Sequence, residues 1–207
     1  MRVVIFGATG GTGRHLVEQA LARGHQVTAF TRDPAALGVA HERLSVAAGD
    51  VQDPDAVARA VAGQDAVLCA LGVPAGARGP VTLCGDGTER ILAAMALHGV
   101  RRIVCQTAFS AGESRSWGLS AWMTRRVIGP IMADKDRQEQ LLRDSGLAFV
   151  IVRPPTLTQG PQRGTCRVQE EARLWPWDHV SRADVADFML AQLDSDRYVG
   201  KAPIVWY

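Results

Sequence analysis

The chain is short of any excess charge. Twenty-three Lys and Arg stand against twenty-one Asp and Glu, a formal +2 over 207 residues. That is too small and too evenly spread to suggest a nucleic-acid partner or binding to an anionic membrane. Cysteines number four, Cys69, Cys84, Cys105 and Cys166, with no C-x-x-C pair and no Cys/His cluster at zinc-like spacing. No metal site is expected from them. Cys69 and Cys105 fall in apolar runs and read as buried strand residues, and a reducing, cytoplasmic setting is expected. His15, His25, His41, His98 and His179 also lack metal spacing. No apolar run approaches the ~18 residues of a membrane span. Met1-Arg2 leads straight into a strand, so no signal peptide is expected.

What is present is the composition of a globular chain, 47% hydrophobic and 21% charged, long enough for one domain with a sizeable core. Strand and helix alternate from the start. Residues 3–6, 26–30, 43–46, 66–71, 102–106 and 148–152 read as strands. Residues 12–23, 54–61, 82–98 and 133–143 read as helices. Asp53-Pro54 opens one of these helices, and Gly24 closes another. A late helix near 181–193 and a short strand near 202–205 complete the chain. This rhythm predicts an α/β fold: a doubly wound parallel sheet of Rossmann type, in a single domain spanning 1–207. Residues 110–130 and 159–179 break the rhythm. Both follow strand ends, where loops line the ligand crevice of such sheets.

Gly7-Ala8-Thr9-Gly10-Gly11-Thr12-Gly13 follows the first strand and opens the first helix. In that context Gly7 permits the tight turn, Gly10 the approach of a pyrophosphate, and Gly13 close helix–strand packing. Thr9, Gly11 and Thr12 complete the candidate phosphate cradle at the helix N-terminus. NAD enzymes of this fold place an acid at the end of the second strand. Here Phe30-Thr31-Arg32-Asp33 puts an arginine there. Arg32 suits a 2′-phosphate, so NADP(H) is expected over NAD(H), with Asp33 capping the turn before Pro34.

The G-x-x-G-x-x-G spacing resembles the atypical short-chain dehydrogenase/reductases, the NAD(P)H-binding, NmrA-like group. Gly49-Asp50-Val51 resembles that family's adenine-contacting step. Ala70-Leu71-Gly72 resembles its fourth-strand end beside the nicotinamide ribose. Leu142-Arg143-Asp144-Ser145-Gly146-Leu147, followed by Val150-Ile151-Val152-Arg153-Pro154, is similar to its LRxSGL…IVRP segment. Within the family the likeness runs over nearly the whole chain to the flavin reductase/biliverdin reductase B type.

The resemblance implies a Tyr-x-x-x-Lys pair on the helix before the sixth strand. Lys135 occupies the Lys position, but Ile131 stands where the Tyr belongs. Only Tyr198 and Tyr207 exist, neither near that helix in sequence. The proton donor of the superfamily is therefore missing, as it is in the flavin reductase-like members. Thr107 takes the Ser/Thr position after the fifth strand, and Ser110 lies close behind it. Thr107, Lys135 and Ser110 are the catalytic candidates; a strand threonine bonding local backbone and a solvated Lys135–Glu139 pair are the plain alternatives. Pro154 and Pro155 are expected to close over the nicotinamide. Phe109, Trp117, Trp122 and Trp175, with Trp177 nearby, either wall a pocket for a planar aromatic substrate or serve as ordinary core. His179 is a further candidate proton donor. The expected function is NADPH-dependent reduction of a flavin, quinone or other planar conjugated acceptor. A non-catalytic NADP(H) sensor and an epimerase or dehydratase are the alternatives. A monomer or weak homodimer is expected.

Overall fold

The computed structural model describes residues 1–73, 81–112 and 119–207, with the side chains of 119–128 outside the description. The elements run β1 (Arg2–Phe6), α1 (Gly11–Ala22), β2 (Gln26–Thr31), β3 (Leu44–Ala48), α2 (Pro54–Val61), β4 (Ala66–Cys69), α3 (Leu83–His98), β5 (Arg102–Gln106), α4 (Leu119–Asp144), β6 (Ala148–Val152), β7 (Thr156–Thr158), β8 (Arg167–Gln169), β9 (His179–Ser181), α5 (Arg182–Ala191) and β10 (Ile204–Trp206). A short 3₁₀ turn, Pro34–Leu37, joins β2 to β3.

Six strands form one sheet in the order β3-β2-β1-β4-β5-β6, all pairs parallel. This is the doubly wound arrangement expected from the alternating pattern. Parallel central strands are covered on both faces, which explains why Val3–Phe6 and Ala66–Cys69 are unbroken apolar runs. Val3, Ile5 and Leu68 point to the side covered by α1 and α5. Val4, Phe6, Val67 and Cys69 point to the side covered by α2 and α3. Cys69 and Cys105 are buried as expected, directly opposite each other on β4 and β5.

The helix caps behave as the sequence suggests. Asp53 accepts from the amides of Asp55 and Ala56 at the start of α2, with Pro54 in its first turn. Asp33 accepts from the Ala35 amide ahead of Pro34. Gly24, just past α1, has φ +82°, the left-handed conformation that ends a helix.

Two expectations are corrected. Residues 110–130 are not irregular throughout: α4 begins at Leu119, not Ala133. Pro130 sits inside α4, where it removes one backbone donor from a long helix. Residues 159–179 also hold structure. β7 pairs in parallel with β9, and β8 pairs antiparallel with β10. β10 in turn bridges β6 through Arg153 and Ile204. These small ladders sit beyond the C-terminal end of β6, beside the ligand crevice.

Candidate functional site

The strand order reverses between β1 and β4, so the crevice opens at their C-terminal ends. The glycine loop lies there. Gly7 has φ +78°, and a Cβ on it would press against the Ala70 carbonyl. A Cβ on Gly13 would overlap the Gly7 carbonyl itself, so α1 packs against the loop backbone with no room for a side chain. The Gly10 amide closes the turn onto the Gly7 carbonyl at 2.9 Å. No side chain caps the N-terminus of α1. Gly10 and Gly11 are exposed and Thr12 is buried beneath them. The α1 amides are left for an external acceptor. These residues therefore fit the pyrophosphate of a dinucleotide.

At the adenosine end, Arg32 is exposed, and no ion pair involves it among the described residues. Arg14, which sequence reasoning passed over, lies nearby. Its guanidinium donates to the carbonyls of Thr9 at 3.1 Å and Ala36 at 2.7 Å, tying the glycine loop to the turn after β2. Asp50 holds its own loop by accepting from the Gln52 amide at 2.9 Å, while Val51 is buried against Gly87 of α3.

The floor of the crevice is a lysine. Lys135 is buried, and its Nζ donates to the carbonyls of Leu71 (2.8 Å) and Gln106 (3.2 Å) and to Gln138 Oε1 (2.9 Å). Two of these bonds join the ends of β4 and β5, and the third returns to α4 itself. The solvated pair with Glu139 does not form. The reason is the helix register, which turns Lys135 inward beneath the Ala70-Leu71-Gly72 step. Three thiols surround Lys135. Cys84 Sγ reaches the Leu71 carbonyl at 3.6 Å, and Gln138 Nε2 reaches Cys69 Sγ at 3.8 Å. A hydrogen bond from Cys105, opposed by burial and helped by the Lys135 charge, brings the Cys69 thiol down to about 7. Burial pushes the Cys84 thiol up to about 11.

Thr107 sits at the end of β5, its amide bound to the Val152 carbonyl at 2.9 Å. The local-backbone alternative for its side chain fails: Thr107 Oγ1 donates to Glu139 Oε1 at 2.8 Å. Glu139 is 1% exposed, and Arg153 grips it with both Nε (2.9 Å to Oε1) and Nη2 (to Oε2). A hydroxyl has one proton, and here a carboxylate already holds it. Thr107 therefore presents only lone pairs to a bound ligand, so it cannot donate to a substrate carbonyl in this arrangement. Glu139 and Arg153 were missed as site residues. The signal was Arg153 itself, a cation ending the otherwise apolar run Phe149–Val152, which requires a buried acid nearby.

Phe109 is half-buried, its amide bound to the Pro154 carbonyl at 2.8 Å, which ties the β5 and β6 loops together. Ser110 has φ +72°, the one described non-glycine residue with positive φ. Pro154 is buried and Pro155 half-buried beside them. Trp117 lies outside the described residues, as does the side chain of Trp122. Trp175 and Trp177 are not core. They are 64% and 69% exposed and stack on each other with centroids 5.3 Å apart and planes 3° from parallel. Asp178 pins this turn through the Trp175 amide at 2.6 Å. His179 pairs across β9 with Thr156 and has Nδ1 3.0 Å from the Trp177 carbonyl. The Tyr207 hydroxyl is taken up by Asp184 and the Ser181 amide.

The comparisons with known proteins agree with this geometry. A family model described as NAD(P)H-binding matches residues 7–196. An uncharacterized sugar epimerase of Bacillus subtilis is 27% identical over 98% of this chain and 92% of its own length. The 2-alkyl-3-oxoalkanoate reductase of Stenotrophomonas maltophilia is 32% identical over 84% of this chain, and the match spans 56% of that protein. Among solved structures, a short-chain dehydrogenase/reductase from Veillonella parvula in complex with NADP superposes with a TM-score of 0.79 at 19% identity, covering 99% of this chain and 93% of that one. A Rossmann sheet, a glycine loop packed without room for a Cβ and a family match over nearly the whole length lead to one conclusion: the chain belongs to the NAD(P)H-binding family.

Proposed function

We propose that this protein is an NADPH-dependent reductase whose acceptor is a flavin, a quinone or another planar conjugated molecule. The observation that carries the reading is the committed proton of Thr107. With Ile131 in the tyrosine position, Lys135 spent on its own hydrogen bonds and the Thr107 proton held by Glu139, none of the three superfamily positions offers a proton to a reacting oxygen. A bound dihydronicotinamide supplies a hydride. An acceptor that delocalises the incoming electron pair and takes its proton from solvent needs no such acid, so orientation carries the rate. The residues of this chain then act by placement. The glycine loop and Arg32 hold the two phosphate ends, Thr107 accepts from the carboxamide, and Phe109 with the Pro154-Pro155 step borders the acceptor space. The exposed Trp175–Trp177 stack, just ahead of β9, offers a flat aromatic face suited to a planar substrate.

The test is NADPH oxidation followed by nicotinamide absorbance with FMN, riboflavin and a set of small quinones, with NADH in parallel. Rapid turnover with NADPH and at least one of these acceptors is the expected outcome. Tight NADPH binding with no turnover on any of them would reject the reading in favour of a redox sensor. Arg32→Gln is expected to weaken NADPH binding about ten- to hundredfold and leave NADH unchanged, as loss of a charge-assisted phosphate contact requires. Equal weakening of both cofactors would remove Arg32 from the 2′-phosphate.

A further inference from the structure

The structure places a second arginine over the glycine loop, from the far end of the chain. Arg182 is the first residue of α5, and α5 packs along α1. A Cβ on Gly11 would sit 2.6 Å from both Cδ and Nε of Arg182, so the side chain lies directly on the α1 N-terminus. The guanidinium is half-buried, and its one described hydrogen bond is Nη1 to the Leu157 carbonyl, long at 3.3 Å.

No acid among the described residues answers its charge. The acids of α5 are both occupied elsewhere. Asp184 Oδ1 accepts from the amides of Arg163 (3.0 Å) and Gly164 (2.8 Å), while Oδ2 takes Ser181 and the Tyr207 hydroxyl. Asp187 pairs with Arg23 and Gln162. Arg182 is thus a cation held against the positive end of α1 and at the positive end of its own helix. Helix dipoles disfavour a cation at either place. The arrangement becomes favourable when an anion bound at the α1 amides also lies within reach of the guanidinium beside them, so that its charge is shared by both.

We infer that Arg182 is a pyrophosphate-binding residue, its guanidinium supplementing the α1 amides from beside Gly11. The inference rests on dinucleotide binding alone and not on the identity of the acceptor. It divides the phosphate contacts between two arginines: Arg32 at the 2′-phosphate and Arg182 at the pyrophosphate. Because Nη1 also holds Leu157 of β7, the same side chain links the phosphate cradle to the small β7–β9 ladder beside the crevice.

The test is a pair of titrations on the full chain, with NADPH and with adenosine 2′-monophosphate, which lacks the pyrophosphate. Arg182→Gln is expected to raise the Kd for NADPH about ten- to hundredfold, the effect of losing charge-assisted bonds. Binding of adenosine 2′-monophosphate should stay within about twofold. Arg182→Lys, which keeps the charge without the planar fork, should recover part of the loss. Arg182→Met preserves the aliphatic stem against Gly11 and is expected to match Arg182→Gln, so the result does not hang on the folding of one variant. NADPH binding at the parental level in the Gln and Met variants would overturn the assignment. So would equal weakening of both ligands, which would mean general damage to the cradle. A reductase assay that fails on every acceptor leaves these titrations readable, so the two proposals can fail separately.

Discussion

Replacing Glu139 with alanine is expected to cost about 3–5 kcal/mol of folding stability, the largest effect of any single change to this site. The carboxylate is fully enclosed and receives Arg153 on both oxygens and Thr107 on one. Its removal strands a guanidinium at 3% exposure with no water to receive it. Urea denaturation with the double variant Glu139→Met, Arg153→Met as the control separates pair from packing. The double variant removes both charges and keeps volume, so it should recover most of the loss. If it is as unstable as the single variant, the ion pair is not the cause. The cycle also reports on Thr107: without Glu139 its proton is released, and its hydroxyl can donate to a bound acceptor.

Gly13→Ala is the second large effect, expected to exceed about 3 kcal/mol. The new methyl would occupy the position of the Gly7 carbonyl, which is backbone and has no rotamer to escape into. Helix α1 must tilt or slide from β1. The Val3, Ile5, Leu16 and Val17 packing then opens, and the α1 amides move off the phosphate site. Thermal melting and NADPH titration should fall together. A variant with parental melting and lost binding would place Gly13 in ligand contact, not in helix packing.

The sheet was readable in the sequence because its parallel strands are covered on both sides and must be continuous in apolar residues, as in Val3–Phe6 and Phe149–Val152. The glycine loop was readable because a close backbone approach admits a single residue type. Asp33 and Asp53 were readable because capping is local. What was hidden depends on distance along the chain. Thr107, Glu139 and Arg153 come from β5, α4 and the end of β6, and no local pattern joins them. Lys135 was placed correctly on its helix, but its partners, the Leu71 and Gln106 carbonyls, come from two other strand ends and leave no local pattern. Arg182 meets Gly11 because α5 folds back onto α1, a contact that follows from topology. The start of α4 was concealed by Pro130, which lowers the local helical preference.

The strand order also has a cost during synthesis. β1 is made first, and β2 and β3 pair outward from one of its edges. Its other edge belongs to β4, which starts only at Ala66. Until the ribosome has delivered that segment, the chain carries Val3, Val4, Ile5 and Phe6, all wholly buried in the finished protein, on a strand with one open ladder. Such an edge pairs with any extended neighbour, including the same strand of another nascent chain. The central strand that anchors the cofactor loop is therefore also the segment most in need of shielding before the fold closes.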